Sequence, residues 1–180
     1  MTITRFHHIA YRCRDTQETV DFYTGILGLK YAAAHMLISR HDDGGVAFHS
    51  FFQLPDGSHI AFFELPEEAP QGEDPNTPSW VQHIAFEVDS VETLRAERAR
   101  LEQAGVKCEQ QGVKVGKIIT SIYFRDPSGH RLEMCVPLGR DADELARSAR
   151  DALDAWNADK SVAARRRAVQ LHNESSGARA

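Results

Sequence analysis

Residues 5–14 read RFHHIAYRCR, and residues 80–89 read WVQHIAFEVD. When the second stretch is laid over the first, His83 falls on His8 and the following Ile-Ala pair repeats. Each stretch alternates in the way that is typical of a strand, and each is followed by a helix signal. The chain is therefore predicted to use one supersecondary unit twice, with a strand histidine at the start of each copy.

The first copy has the predicted element order β-α-β-β-β. Asp15, followed three positions later by Glu18, forms a capping box that predicts the start of a helix. Gly28 predicts the end of that helix. Strands are predicted at residues 6–13, 29–37, 46–54 and 58–65, and a polar turn is predicted at residues 40–45.

The second copy repeats this order. Its helix is predicted to run from Asp89 or Ser90 to Ala104 and to end at Gly105. Strands are predicted at residues 81–88, 106–113, 117–124 and 130–136. Pro-rich, acidic residues separate the copies and predict a linker. The predicted organisation is one domain over residues 1–137, with modules 1–66 and 79–137 joined by linker 67–78, and a helical C-terminal extension over residues 138–180.

The overall composition narrows the choice of partner and compartment. The 180 residues carry a net charge of -5, which argues against nucleic acid as a partner. No apolar run approaches the roughly 18–20 residues that span a bilayer, so no membrane association is expected. Three cysteines without CxxC spacing predict free thiols and a cytoplasmic location.

Each copy also carries one glutamate in its last strand, Glu64 in the first and Glu133 in the second. Two buried carboxylates near two imidazoles are costly without a cation, whereas a divalent metal stabilises all four side chains. His8 is preferred over His7 because only His83 occurs in the second copy, and His7 is expected to point the other way. His8, Glu64, His83 and Glu133 are the predicted metal ligands.

These stretches, together with DGSHIAFFE and YFRDPSGHRLE, resemble the vicinal oxygen chelate superfamily, which includes glyoxalase I, bleomycin resistance proteins and type I extradiol dioxygenases. The resemblance covers roughly residues 5–137. It implies an α+β fold in which two tandem βαβββ modules form a curved mixed-sheet groove around a metal site. It also implies a homodimer, a small-molecule substrate bound through two adjacent oxygens, and one divalent ion per site.

The preferred interpretation is a metal-dependent glyoxalase-type isomerase or lyase that acts through a metal-bound enediolate. Four protein ligands on a six-coordinate ion leave two positions for such a substrate. In this interpretation Glu64 or Glu133 could also act as the catalytic base. Imidazole and carboxylate ligands suit iron, manganese, nickel, cobalt or zinc, so the metal stays open.

The alternative is an extradiol ring-cleaving dioxygenase that uses Fe(II) on a catechol-like substrate. Such an enzyme needs a facial triad of two histidines and one carboxylate, here His8, His83 and Glu133, with Glu64 outside the set. The resemblance implies catalytic roles for Tyr123 and for His59 as an acid–base residue. Glu64 therefore distinguishes the two interpretations.

A second alternative is a non-catalytic drug-binding protein of the same fold, such as the bleomycin resistance proteins. Those proteins generally lack the metal ligands, so the complete set found here favours an enzyme. Five histidines have no partner in the repeat and are interpreted as structural or exposed: His35, His41, His49, His130 and His172. His49 is the expected exception because third strands also line the groove.

Overall fold

The structure is a computed structural model that describes residues 2–38, 44–69, 76–109, 119–137, 139 and 141–177, with side chains described to residue 172. The predicted turn at 40–45, the linker at 67–78, the strands at 106–113 and 117–124, and the extension at 138–180 lie partly outside these residues. Two compact units are present. Unit 1 comprises Met1–Ile84, Ala99–Cys108 and Phe124–Glu133, and unit 2 comprises Ala85–Arg98, Glu109–Tyr123 and Met134–Ala180. The proposed boundary at residue 137 stays a prediction.

The first sheet lies entirely in unit 1 and has the strand order β1-β4-β3-β2. Strand β1 pairs with β4 in parallel, whereas β4–β3 and β3–β2 are antiparallel. The four strands are β1 (His8–Arg12), β2 (Lys30–Ile38), β3 (Val46–Gln53) and β4 (His59–Glu64). The predicted first module is thus present as one mixed sheet.

Helix α1 (Thr16–Val20) continues directly into a π-helical segment, Asp21–Ile26. The predicted cap is present, because the side chain of Asp15 accepts a hydrogen bond from the Glu18 backbone N–H at 2.8 Å. Gly28 follows the helix at a φ of 72°, a conformation that glycine adopts without a Cβ penalty. Both predicted ends of the helix are confirmed.

The core of unit 1 forms where this helix packs on one face of the sheet. The Tyr23 ring lies 5.2 Å from that of Phe52 and 4.9 Å from that of Phe62, and all three side chains are fully buried. The Tyr23 hydroxyl donates to Asp126 Oδ2 at 3.1 Å, so its polar end is satisfied inside the core. Burial of these aromatic rings contributes to the apolar driving force for this module, together with Phe22 and Ile60.

The second sheet has the order β5-β7-β6 and follows the predicted repeat. Its strands are β5 (Ile84–Glu87), β6 (Ile119–Arg125) and β7 (Arg131–Pro137), and helix α2 spans Val91–Gln103. Within the described part of the predicted 106–113 strand, Glu109 forms an isolated antiparallel bridge with Tyr123. The α+β class with two tandem sheet modules is confirmed.

The C-terminal extension forms two helices, α3 (Ala142–Ala158) and α4 (Val162–Gly177). Asp141 caps α3, and the guanidinium of Arg165 on α4 lies 4.5 Å from the ring centroid of Trp156 on α3. In the part of the chain that the structure describes, no helix combines the length and apolar character needed to cross a bilayer. The cytoplasmic location stays a prediction.

Candidate metal and substrate site

His83 and Glu133 lie together in unit 1. His83 Nε2 is 3.0 Å from Glu133 Oε2, and their side chains are 33% and 2% exposed. Glu133 is carried by β7 among residues whose apolar side chains are buried, and His83 immediately precedes β5. The sequence repeat therefore brings one predicted histidine and one predicted carboxylate into direct contact.

The contact made by the second ring nitrogen of His83 indicates how the imidazole of His83 faces the carboxylate of Glu133. His83 Nδ1 is 2.9 Å from the backbone carbonyl oxygen of Val81, and a carbonyl oxygen only accepts. Nδ1 therefore carries a proton, and a neutral imidazole then points the lone pair of Nε2 at the carboxylate of Glu133. Two lone pairs at this distance repel unless a proton or a cation lies between them. The pair has the donor chemistry and the orientation of a metal site.

His8 has a comparable arrangement at the start of β1. Its Nδ1 lies 2.8 Å from His7 Nδ1, so one of the two nitrogens donates and the other accepts. The two rings meet edge to face with centroids 5.0 Å apart. The expectation that His7 points away from His8 is wrong, because β1 begins only at His8 and His7 lies outside the alternation of the strand. His7 can orient His8 with Nε2 directed away from the contact.

Glu64 is held elsewhere. Its Oε2 accepts a hydrogen bond at 2.8 Å from the backbone N–H of Thr16, the first residue of α1. In the parallel pairing His8 lies opposite His59 and Ala10 opposite Ala61, and side chains alternate between the faces of a strand. Glu64 therefore points to the helix-packed face and His8 to the other face. The structure does not bring these two predicted ligands together.

The two remaining predicted site residues differ in their surroundings. His59 lies on the same face as His8, its ring centroid is 5.8 Å from that of His7, and its Nδ1 is buried without a hydrogen-bond partner. Tyr123 is half-buried in β6, and its backbone exchanges two hydrogen bonds with Glu109, at 2.7 and 3.0 Å. His59 therefore has an uncommitted nitrogen on the candidate site's face, which suits an acid–base role.

The face that carries His8 also holds His49, the exception expected from the sequence, together with Phe51 and His35, which were not expected there. The Phe51 ring is within 4.2–6.3 Å, centroid to centroid, of four imidazoles, those of His8, His35, His49 and His59. Burial lowers the pKa of His49, and the neighbouring His8 and His35 lower it further. The alternation in AFHSFFQ is the signal that could have placed Phe51 on the same face as His49.

The described residues contain no group of three or more His, Cys, Asp or Glu side chains that could hold a metal ion. The structure thus assembles the His83–Glu133 pair, does not bring His8 to it as a third ligand among the described residues, and turns Glu64 away. Of the histidines without a repeat partner, His35 and His172 are exposed, and His130 Nε2 lies 2.6 Å from the backbone oxygen of Arg12. His41 is outside the described residues.

Residues 5–134 match the family model described as the Glyoxalase/Bleomycin resistance protein/Dioxygenase superfamily. The chain belongs to this superfamily. The match covers both copies of the repeat and ends before the C-terminal extension, in agreement with the resemblance seen in the sequence. Family membership alone leaves the reaction open, because the family description itself names proteins of different activity.

Two relatives illustrate this range within the superfamily. A Bacillus subtilis protein named "Putative ring-cleaving dioxygenase MhqA" is 28% identical over 135 residues, which are 73% of this chain and 40% of that protein. "Glyoxylase I 4" of Arabidopsis thaliana is 26% identical over 151 residues, which are 81% of this chain and 80% of that protein. The chain thus spans less than half of the Bacillus relative.

Solved structures of the superfamily share the fold. The fosfomycin resistance protein FosX from Listeria monocytogenes, solved with Mn(II) and 1S,2S-dihydroxypropylphosphonic acid, aligns with a TM-score of 0.54 at 23% identity. The alignment covers 80% of this chain and 99% of FosX. A glyoxylase/bleomycin resistance protein/dioxygenase domain from Frankia aligns with a TM-score of 0.57 at 22% identity, over 76% and 99% of the two chains. Superfamily members therefore include a protein that binds a divalent metal and a small molecule.

Proposed function

We propose that this protein is an extradiol-type ring-cleaving dioxygenase that holds one divalent ion through His8, His83 and Glu133. The observation that carries the proposal is the hydrogen bond between Thr16 and Glu64, which engages the fourth predicted ligand on the opposite face of the sheet. Two imidazoles and one carboxylate remain. This donor set is typical of non-haem Fe(II) oxygenases, which need three open positions on the ion.

The residues fit such an ion on chemical grounds. The carbonyl of Val81 fixes the proton of His83 on Nδ1, and Nε2 faces the buried carboxylate of Glu133. When bound, an Fe(II) ion supplies Lewis-acid polarisation of two adjacent substrate oxygens and one-electron chemistry with dioxygen. The preference for iron over manganese, nickel, cobalt or zinc is part of the proposal.

The third ligand is proposed to come from a second copy of the chain. His8 is not clustered with His83 and Glu133 among the described residues, and a homodimer lets each copy supply the piece that the other lacks. Such an arrangement keeps His8 in the orientation that its contact with His7 gives it. The expected homodimer thus becomes part of the proposed mechanism.

Proton transfer is assigned to residues outside the metal set. His59 Nδ1 has no hydrogen-bond partner and lies on the face of His8, which supports a role as acceptor of a proton from a substrate hydroxyl. The Tyr123 phenol is the second candidate, on its resemblance to the tyrosine of extradiol enzymes. The similarity to the Bacillus protein named as a ring-cleaving dioxygenase supports the same class of reaction.

The test is anaerobic loading of purified protein with Fe(II), followed by a catechol and then air. A yellow ring-cleavage product and about one iron per site are expected. The matched variants are Glu64→Ala, which should retain product formation, and Glu133→Ala, which should abolish it. Activity on hemithioacetals together with failure of a catechol panel would instead support the glyoxalase-type interpretation, with Glu64 as a ligand.

A further inference from the structure

The face of the first sheet that carries His8 is organised in three successive rows across the strands. Strand pairing places residues of one row side by side, and rows are two residues, or about 7 Å, apart along each strand. The first row contains His8, His59, Gln53 and Lys30. The second row contains Ala10, Ala61, Phe51 and Ala33, and the third contains Arg12, Phe63, His49 and His35.

The middle row forms a shallow apolar floor. Its three alanines have small side chains, so Phe51 is the one large group in the row. Ala10 and Ala33 are exposed and Phe51 is half-buried, so a ligand can reach this floor. A planar ring is the shape that stacks on a phenylalanine between small side chains.

The third row carries a cation whose hydrogen bonding is incomplete. The Nη2 group of Arg12 donates to the backbone oxygen of Leu65 at 3.3 Å, whereas its Nε is buried without a hydrogen-bond partner. A buried donor without an acceptor is unfavourable, and a small rotation of the partly exposed Arg12 side chain would let a ligand acceptor satisfy it. Among the described residues of β1 to β4, the three rows contain no aspartate or glutamate that could neutralise Arg12.

We propose that the substrate is an aromatic carboxylate, with its ring over Phe51, its two adjacent oxygens towards His8 and His59, and its carboxylate bound by Arg12. This inference rests on the proposed function for the position of the two oxygens. A guanidinium that offers Nε together with Nη is the usual partner of a carboxylate. Arg12 and Phe51 are then the residues that determine specificity, and the carboxylate lies on the side of the ring remote from the adjacent oxygens.

The test measures binding by calorimetry in full-length protein freed of metal by a chelator, so that it does not depend on turnover. The probes are benzoate, its neutral analogue benzamide, and cyclohexanecarboxylate, which is an anion without a planar ring. Benzoate is expected to bind about tenfold more tightly than either of the other two, a difference of the size expected when one charge-assisted contact is lost. Equal binding of benzoate and benzamide would overturn the proposal.

Matched variants separate the two parts of the site. Arg12→Gln should reduce benzoate affinity to that of benzamide, whereas Arg14→Gln, the same charge change at an exposed arginine two residues away, should not. Phe51→Leu should lower the affinity for benzoate to that for cyclohexanecarboxylate. Phe6→Leu, at an exposed position, should leave the affinity for benzoate unchanged. Each variant is first checked for an unchanged melting temperature. An Arg12→Gln protein that melts like the wild type and binds benzoate equally well would contradict the proposal.

The outcome is separable from that of the proposed function. Catechol cleavage without any preference for benzoate over benzamide would remove the carboxylate site and leave the dioxygenase proposal intact. Benzoate preference that depends on Arg12, in a protein that takes up no metal, would remove the dioxygenase proposal and leave the aromatic carboxylate site.

Discussion

Glu64 Oε2 accepts a hydrogen bond from the backbone N–H of Thr16 at 2.8 Å, at the first turn of helix α1. The N–H groups of a first helical turn have no partner within the helix, so a carboxylate here satisfies one of them and interacts favourably with the helix dipole. This contact gives Glu64 a structural role, which sets it apart from Glu133, whose carboxylate faces His83.

The first prediction concerns metal affinity. Glu64→Gln should bind a divalent ion within about threefold of the wild-type affinity, whereas Glu133→Gln should lose about 100-fold or more, because only Glu133 supplies a negatively charged ligand. Titration of both variants with Fe(II) or Mn(II) measures the difference. A loss in Glu64→Gln as large as that in Glu133→Gln would restore the four-ligand interpretation.

The second prediction concerns sharing of ligands between copies. His8→Ala and His83→Ala should each be inactive alone. If each site takes His8 from one copy and His83 from the other, mixing and refolding equal amounts should restore about a quarter of wild-type activity, since half of the dimers are mixed and each has one intact site. If no activity returns in a mixed sample that is dimeric by light scattering, both histidines of a site must come from one chain.

The third prediction concerns the buried hydroxyl of Tyr23. Tyr23→Phe removes its bond to Asp126 and leaves a buried carboxyl with one donor fewer, so the free energy of unfolding should fall by about 1–3 kcal/mol. Tyr31→Phe is the control, because Tyr31 is 40% exposed. Removal of its hydroxyl should lower the free energy of unfolding by less than about 0.5 kcal/mol. Urea unfolding of both variants measures the two values.

The fourth prediction concerns the pH dependence of stability at Asp126. Burial raises the pKa of this carboxyl above 3.8, although His130 and the hydrogen bonds of Asp126 act in the opposite direction. Because the folded protein then holds the proton more tightly than the unfolded chain, this stabilising contribution is complete below pH 3.8. It is lost as the pH rises through the folded pKa.

Asp126→Asn removes this dependence while keeping an oxygen that can accept from the His130 backbone N–H. The variant should therefore gain stability relative to the wild type as the pH rises from below 3.8, and the gain should level off above the folded pKa. Urea unfolding at a series of pH values measures the difference. A gain that instead grows as the pH falls would mean that the pKa is lowered by folding.

The fifth prediction compares two glycines near the end of the first helix. Gly28 has a φ of 72° and open space around it, so Gly28→Ala should cost about 1–2 kcal/mol through backbone strain alone. Gly25 lies within the helix, and no heavy atom of a neighbour comes within 4 Å of the position that a Cβ would occupy there. Gly25→Ala should therefore be neutral or stabilising by up to about 1 kcal/mol. The melting temperatures of the two variants should differ from that of the wild type in opposite directions or by clearly different amounts.

Much of the fold could be predicted because it is encoded locally. The cap at Asp15 and the stop at Gly28 depend on a few neighbouring residues, and strand alternation is visible in any short window. The repeat also predicted that His83 and Glu133 belong together, because two similar stretches fold into similar units. The contact between His7 and His8 was missed because the exact start of β1 depends on pairing with β4.

The sequence by itself determined the α+β class, the two copies of the module and the residue types available for a metal. Only the tertiary structure decided which face each of those residues occupies. The side chain of a strand residue points up or down according to its pairing register, and β1 pairs with a strand some fifty residues away. That register puts His59 beside His8, with Arg12 two rows away on the same face, and turns Glu64 towards α1. The sequence contains all four ligands of the glyoxalase-type interpretation. The long-range pairing of the strands decides which of these residues share a face of the sheet.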